Sequence, residues 1–431
     1  LLLPSVEFAI VGNGIVAMAI AEQLHQAGKK IALIAPKARP ASASVAAAAM
    51  LNSFAELSPG ALNHELKRYK FLKSREATSL WPSYLRDLHQ KSGIYIPLIM
   101  GTSLVKIGKS SEAYREALLA YLREYEEPYR LDSHQGLTIP GECAVQPSLV
   151  FQALDRILKT SDFVSRIDAE VQSVSSGETL KTIHLKNGQS VQAEQVVLAA
   201  GSQVTEICEK SEGLKNVLQL FYGRGIGAHL YLLEHGLNRT YRTFHDGANC
   251  GVYLIPYNRD SLYLGATSEL QLKAQAGDSE AEIKLLLERA IEGLYPKLQR
   301  AKIEKTLMGY RPTTADAFPL MGETSIKGVW VASGTKRDGF HLAPVIAREI
   351  SKGLLKREPV FGDRFLPERK LYFLDSEAKV LEQARAYFGG DELSLKIRWG
   401  QLKARYLKLD AGVAPELWPL FEKGWVHPDH C

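Results

Sequence analysis

Cysteine is scarce in this chain: Cys143, Cys208, Cys250 and Cys431 are the four in 431 residues. They lie far apart and form no C-x-x-C pair, so neither a disulfide framework nor a zinc-type site is implied, and a reducing cytoplasm is the expected home. His229, His245 and His341 stand singly, without a second histidine at helical spacing or flanking carboxylates, which argues against a metal. Long apolar runs are missing too. The opening "LLLPSVEFAIVGNG" is broken by Pro4 and Glu7 and has no basic region before it. No other segment reaches the roughly 18 uncharged apolar residues that a membrane span needs. Finally, the net charge of +5 is spread along the chain, with no basic block interleaved with aromatics, so nucleic acid is not an expected partner. What remains, 45% hydrophobic and 23% charged residues, is ordinary soluble globular material, long enough for two or three sub-domains.

The first informative stretch is "VEFAIVGNGIVAMAIAEQLHQAGKKIALIA". β-type residues lead to a glycine turn, then to apolar positions at helical spacing, a stop at Gly28 and a second apolar strand. This is a βαβ unit. Gly12, Gly14 and Ala17 fill its G-x-G-x-x-G/A positions: the first allows the tight turn, the second lets a pyrophosphate approach the backbone, and the third keeps helix and strand close. The helix start offers unpaired N–H groups and a positive dipole end to phosphates. The acid that usually bonds the ribose hydroxyls should fall near Ala35 and is absent. Either a serine or a backbone amide holds the ribose, or the cofactor is gripped through its phosphates and its far end.

Two later segments repeat the plan. "VVLAAGSQV" is a short buried strand ending in small residues, and "GVWVASGTKRDGFHLAPVIAREISKGLL" is strand, glycine-bearing loop and helix. Taken alone, each also reads as an ordinary strand–helix connection.

In this order the segments resemble the D-amino-acid oxidase superfamily of FAD-dependent amine oxidases, and within it most closely the glycine oxidases. The resemblance spans roughly Val6 to Arg369. It rests on the glycine turn, "SASVAAAAML", "VVLAAG", "VYLIPYNRDSLYLGATSE", "MGYRPTTADAFPLMG" and "SGTKRDGFHLAP", six matches in register. It implies an α/β fold: a Rossmann-like FAD-binding domain interleaved with an antiparallel-sheet substrate domain. The cofactor it implies is FAD, touched by Gly12, Gly14, Ala17, Ser42, Ser44, Ala48, Ala49, Met50, Val171, Gly201, Gly339 and His341. Two departures stand out. Ala35 replaces the usual Glu, and Ala49 replaces a Gly, adding a methyl close to the flavin.

An amino acid held for oxidation must have its carboxylate fixed, because orientation supplies much of the rate. A guanidinium does this best, with a planar fork that stays charged when desolvated. Arg311 in "GYRPTT" is the expected carboxylate anchor, read as lying after a strand and stiffened by Pro312. On residue type alone it would be an arginine in an ion pair. Tyr253 matches a family tyrosine that also reaches the carboxylate, and Arg337 matches a second arginine near the substrate. Without the motifs these read as a core aromatic and a solvated loop charge, and His341 reads equally as a packing histidine.

The expected domains are 1–51, 147–215 and 309–370 for FAD and 52–146 and 216–308 for substrate. They are followed by a helical extension, 371–431, which carries Trp399, Trp418 and Trp425 and is expected to pack on the chain's own body, on a second subunit or over the active-site mouth. The expected reaction is oxidation of a small amino acid or amine, with hydride passing to flavin, hydrolysis to an oxo acid and ammonia, and molecular oxygen giving hydrogen peroxide. The alternatives are a D-amino-acid dehydrogenase feeding a quinone or carrier, and a flavoprotein with a biosynthetic or non-catalytic role.

Overall fold

A computed structural model gives the fold; it describes residues 3, 5–105, 111–132, 136–177, 179–244, 251–271, 273–275, 277, 279–356 and 361–372. The expected helical extension beyond residue 372, with its three tryptophans, and His245 lie outside the described residues.

The glycine-turn unit forms as its pattern requires. Strand Val6–Val11 leads through Gly12 and Gly14 into helix Ile15–Gln26 and returns as strand Ile31–Ile34, with Gly28 at φ +71 in the connection. Alternate residues of the first strand face opposite cores. Phe8 and Ile10 pack with the helix residues Ala17, Ile20 and Leu24, whereas Ala9 and Val11 pack with Val174 and Ile183. A strand buried on both faces reads as a continuous apolar run, and this one does so from Phe8 onward.

Its sheet has the order Leu320–Glu323, Val329–Ser333, Ser190–Leu198, Val6–Val11, Ile31–Ile34, Val164–Ile167. All pairings from Val329–Ser333 to Val164–Ile167 are parallel, and Leu320–Glu323 joins antiparallel. Strand Lys181–Leu185 pairs antiparallel with Ser190–Leu198, and Val171–Ser176 pairs antiparallel with Lys181–Leu185. Helix Ile15–Gln26 packs against both Ala343–Lys356 and Pro147–Lys159, so chain segments more than 100 residues apart build one layer.

The second sheet is mixed and mostly antiparallel. Its longest pair is Phe221–Tyr231 with Lys302–Thr313, followed across the sheet by Ser261–Gly265, Tyr253–Pro256, Thr240–Thr243, Ile99–Val105 and Leu137–Ala144. A long helix, Glu65–Ser92, is capped at its start by the His64 ring and ended by Gly93 at φ +71. Its Trp81 is fully buried and stacks on Phe340, just before helix Ala343–Lys356.

One expectation is corrected. Arg311 does not follow a strand in a proline-stiffened loop. The strand runs from Lys302 to Thr313, with Arg311 opposite Gly223 and Pro312 opposite Tyr222. Proline is tolerated because, among the described residues, the other side of this strand carries only isolated bridges, Ser42 with Tyr310 and Thr313 with Thr335, so the missing N–H interrupts no second ladder. Residue 309, expected to open a domain segment, falls inside the same strand.

Among the described residues, no helix is long and apolar enough to cross a membrane, and no group of three His, Cys, Asp or Glu side chains could hold a metal ion.

Candidate active site

A cavity of about 480 Å³ is lined from both sheets, and most of the residues singled out in the sequence meet on its wall: Gly12, Gly14, Ser42, Ser44, Ala48, Ala49, Met50, Gly201, Tyr253, Arg311, Arg337, Gly339 and His341. Ala17 lies behind the wall, fully buried in the core under the glycine turn. Val171 is not on it either; it lines a small neighbouring cavity that also touches Gly12 and Ala35.

At the glycine-turn end the backbone is exposed to the cavity because nothing else fits. Gly12 has φ +124, and a Cβ there would lie 2.4 Å from the Ala199 carbonyl oxygen. Gly14 caps the helix without a side-chain bond; instead the Ser44 hydroxyl accepts the Ile15 N–H at 3.2 Å. Arg39 braces the following loop, donating to Asp155 through both terminal nitrogens and to the Asn13 carbonyl at 2.8 Å. In place of the missing acid at Ala35, the same wall carries Glu170, Gln203 and Glu206. Glu206 accepts the Tyr222 hydroxyl at 2.6 Å, and burial together with this carboxylate raises the phenol pKa. Glu170 pairs with Lys186. These acids were invisible in the sequence because they reach Ala35 from elements more than 130 positions away.

In the middle, Ala49 adopts φ +50 while its carbonyl accepts the Val145 N–H at 3.1 Å. A left-handed backbone explains why a glycine is at home in this position and why alanine there carries strain. Ser42 forms a bridge with Tyr310, and the Tyr310 N–H donates to the Ala41 carbonyl at 3.0 Å, which fastens the alanine-rich segment beside Arg311.

The other end is set by glycines. Strand Phe221–Tyr231 carries Gly223, Gly225 and Gly227 at alternate positions, so all three present hydrogen atoms to one face of the sheet. A Cβ on Gly225 would lie 2.3 Å from the Arg311 guanidinium, and one on Gly227 would lie 2.2 Å from the Tyr263 hydroxyl. Gly265, opposite Tyr253, makes the same room: its Cβ would meet the Tyr253 ring at 2.3 Å. Tyr253 stacks nearly parallel to Tyr263, whose hydroxyl donates to the Ala46 carbonyl at 2.6 Å. Burial raises the Tyr263 pKa well above its ordinary value, so this hydroxyl remains a donor. Sequence reasoning missed these glycines, although "GRGIG" inside an apolar strand is a period-two signal for a close approach from the neighbouring strand.

Arg311 donates to the Thr267 carbonyl at 3.2 Å and, among the described residues, has no carboxylate partner. Arg337 is half-buried on a loop tied back to the same strand by the Lys336 N–H, which donates to the Pro312 carbonyl at 2.7 Å. His341 is buried between Ser74 (3.3 Å at Nδ1) and Thr78 (2.8 Å at Nε2) on the long helix. Burial lowers its pKa to about 4, so the ring is neutral at ordinary pH. His229, in contrast, lines a separate cavity beside Phe151 and Tyr257.

Residues 7–352 match the family described as DAO: FAD dependent oxidoreductase. The chain belongs to that family. Among curated relatives, glycine oxidase of Geobacillus kaustophilus is 26% identical over 389 residues, which cover 82% of this chain and 94% of the relative. The bifunctional protein ThiO/ThiG of Trichormus variabilis is 27% identical over 373 residues, covering 82% of this chain and 53% of the relative. The chain therefore spans about half the length of the bifunctional relatives it matches. The crystal structure of glycine oxidase from Geobacillus kaustophilus superposes with a TM-score of 0.73 at 22% identity, covering 86% of this chain and 100% of that one. This is a likeness of fold.

The cofactor of this FAD-dependent oxidoreductase fits the residues present. The side-chain-free Gly12–Gly14 turn at a helix N-terminus is a cradle that a Cβ would fill, which suits a pyrophosphate. The alanine segment leaves width for a flat ring system, and Glu170 and Glu206 offer acceptors for sugar hydroxyls.

Proposed function

We propose that this chain is a glycine-oxidase-like enzyme that oxidises the C–N bond of a small amino acid, with molecular oxygen as electron acceptor and an oxo acid, ammonia and hydrogen peroxide as products. The observation that carries this reading is Arg311: a guanidinium on the cavity wall, housed against a glycine and without a carboxylate partner among the described residues. Such a fork, left for an incoming acid, is the natural clamp for a substrate carboxylate.

Bound FAD supplies the hydride acceptor. The protein's share of the work is binding and orientation. Arg311 takes the carboxylate and the Tyr253 side chain lies on the same wall, which fixes the direction of Cα–H. Loss of hydride requires a neutral amine. The site needs only to favour the neutral amine and need not own a strong base. Gly12 and Gly14, with the Ser44 hydroxyl, would hold the diphosphate end, and Ser42, Ala48, Ala49, Met50, Gly201, Gly339 and His341 the remainder. We read 1–51, 147–215 and 309–370 as the FAD domain and 52–146 with 216–308 as the substrate domain. We place the enzyme in the cytoplasm on its buried thiols Cys143 and Cys208, both free.

The test is anaerobic bleaching of the flavin across a panel of small amino acids, followed by hydrogen peroxide yield in air. Bleaching with stoichiometric peroxide is expected. Bleaching without peroxide would move the reading to a quinone- or carrier-linked dehydrogenase, and no bleaching by any amino acid would remove it.

A further inference from the structure

The second sheet turns one face to helix Ser279–Gly293 and the other to the large cavity, and side chains alternate between the two along each strand. Ile226, Ala228, Leu262 and Leu264 pack with the helix residues Ile283 and Leu286. Tyr253 and Tyr263 point the other way and pack with Ala46, Ala48 and Met50 of the alanine-rich segment. The wall that carries Tyr253 and the segment that fits a flat cofactor ring are therefore in direct contact, and Tyr263 sits at that contact.

Tyr263 is held from several sides. Its ring is 1% exposed and lies 8° from parallel with the Tyr253 ring, centroids 6.2 Å apart. His229, paired opposite it on strand Phe221–Tyr231, meets the ring edge-on at 5.9 Å. Gly227 on that strand leaves the hydroxyl its room, because a Cβ there would overlap the Tyr263 oxygen. The hydroxyl donates to the Ala46 carbonyl at 2.6 Å, and the Ala46 N–H closes a turn onto the Ser42 carbonyl at 3.0 Å. Ser42 in turn bridges to Tyr310, the neighbour of Arg311. A nearby tyrosine supplies the contrast: Tyr257 also contacts His229 and Tyr263, but its buried hydroxyl has no hydrogen-bond partner, so that ring only fills space.

We propose that Tyr263 is a positioning residue: through its bond to Ala46 and its stack on Tyr253 it sets the gap between the wall that takes the amino acid and the segment that faces the cofactor. Enclosed as it is, it acts through these two partners and not on the reacting atoms. Releasing the Ala46 carbonyl changes that gap while Arg311 still takes the carboxylate, so the rate of hydride loss suffers and binding does not. The kinetic part rests on the amino-acid oxidase reading above; the spectroscopic part below does not.

Tyr263→Phe keeps the ring and the stack and removes the bond. In the flavin-loaded protein, the rate constant of anaerobic flavin reduction at saturating amino acid, taken per bound flavin, should fall about tenfold. The amino-acid concentration at half-maximal rate and the flavin affinity should stay within twofold of native. Without any substrate, the visible circular dichroism of the bound flavin should change shape, because the segment facing it is released. Tyr257→Phe, which loses a hydroxyl from the neighbouring ring, should leave both readouts at native values. Gly227→Ala, which displaces the Tyr263 hydroxyl from another strand, should reproduce both changes and stands in should Tyr263→Phe fold poorly. A native rate in Tyr263→Phe, with or without a spectral change, overturns the inference. So does a slowed reduction with a native spectrum, which would place the effect on Tyr253 alone, and so do equal losses in Tyr257→Phe, which would make it general packing. If no amino acid bleaches the native flavin, the oxidase reading falls and circular dichroism decides alone: a change in Tyr263→Phe but not in Tyr257→Phe supports the tie to the cofactor segment, and no change in either overturns it.

Discussion

The guanidinium of Arg311 occupies space that a single carbon at Gly225 would take: a Cβ built there lies 2.3 Å from it, on the strand paired with Arg311's own. The position of the carboxylate clamp is therefore written partly in a residue with no side chain.

Gly225→Ala should displace the clamp without touching the cofactor cradle. Because a misplacement of about 1 Å can cost about 100-fold in rate, kcat/KM for the best amino acid should fall by about that factor. Flavin content, read from absorbance, should stay at the native level.

Gly12→Ala should act at the opposite end. The new methyl would meet the Ala199 carbonyl at 2.4 Å on a residue with φ +124. Strain at such a position costs about 1–3 kcal/mol, and the diphosphate cradle would be filled as well. Equilibrium dialysis should show loss of flavin, and denaturant melts should show a less stable apoprotein.

Glu170→Ala tests the replacement for the absent acid at Ala35. If this carboxylate bonds the ribose, its removal should weaken FAD binding about tenfold, in line with a charged hydrogen bond of about 1.5–3 kcal/mol partly offset by water. Amino-acid turnover at saturating FAD should be unchanged.

Two buried groups should give opposing pH dependences of stability. His341 titrates near 4 in the folded chain because burial disfavours the imidazolium, so its contribution is present above 6.5 and is lost as pH falls toward 4. Glu142 is raised to about 7, chiefly by burial, despite accepting the Phe54 and Ala55 N–H groups. Its contribution is present below 4.5 and is lost as pH rises through 7. Each shift is worth up to about 3 kcal/mol, so the two slopes nearly cancel between pH 4.5 and 6.5 in the native protein. Denaturant titrations of Glu142→Gln should expose a stability that drops on acidification, and those of His341→Gln a stability that drops toward neutral pH.

The parts of the site that were legible in the sequence were those whose chemistry is local. The turn Gly12–Gly14 and the loop before helix Ala343–Lys356 carry their signal within a few residues, because a strand end, a glycine and a helix start constrain one another directly. The placement of Arg311 was misread because Pro312 normally ends a strand, and only the pairing reveals a continuous ladder with Phe221–Tyr231 on one side and isolated bridges on the other. Gly225 and Gly265 escaped notice because their purpose lies in another strand, and Glu170 because only the fold brings it onto one cavity wall with Ala35.

The most direct measurement is the rate of anaerobic flavin reduction in Arg311→Lys, compared with the native protein on the same amino acid. Lysine keeps the charge and loses the fork. A fall of about 100-fold or more with flavin fully bound is predicted, from lost orientation of the carboxylate. A rate within threefold of native would contradict the claim that this guanidinium holds the substrate.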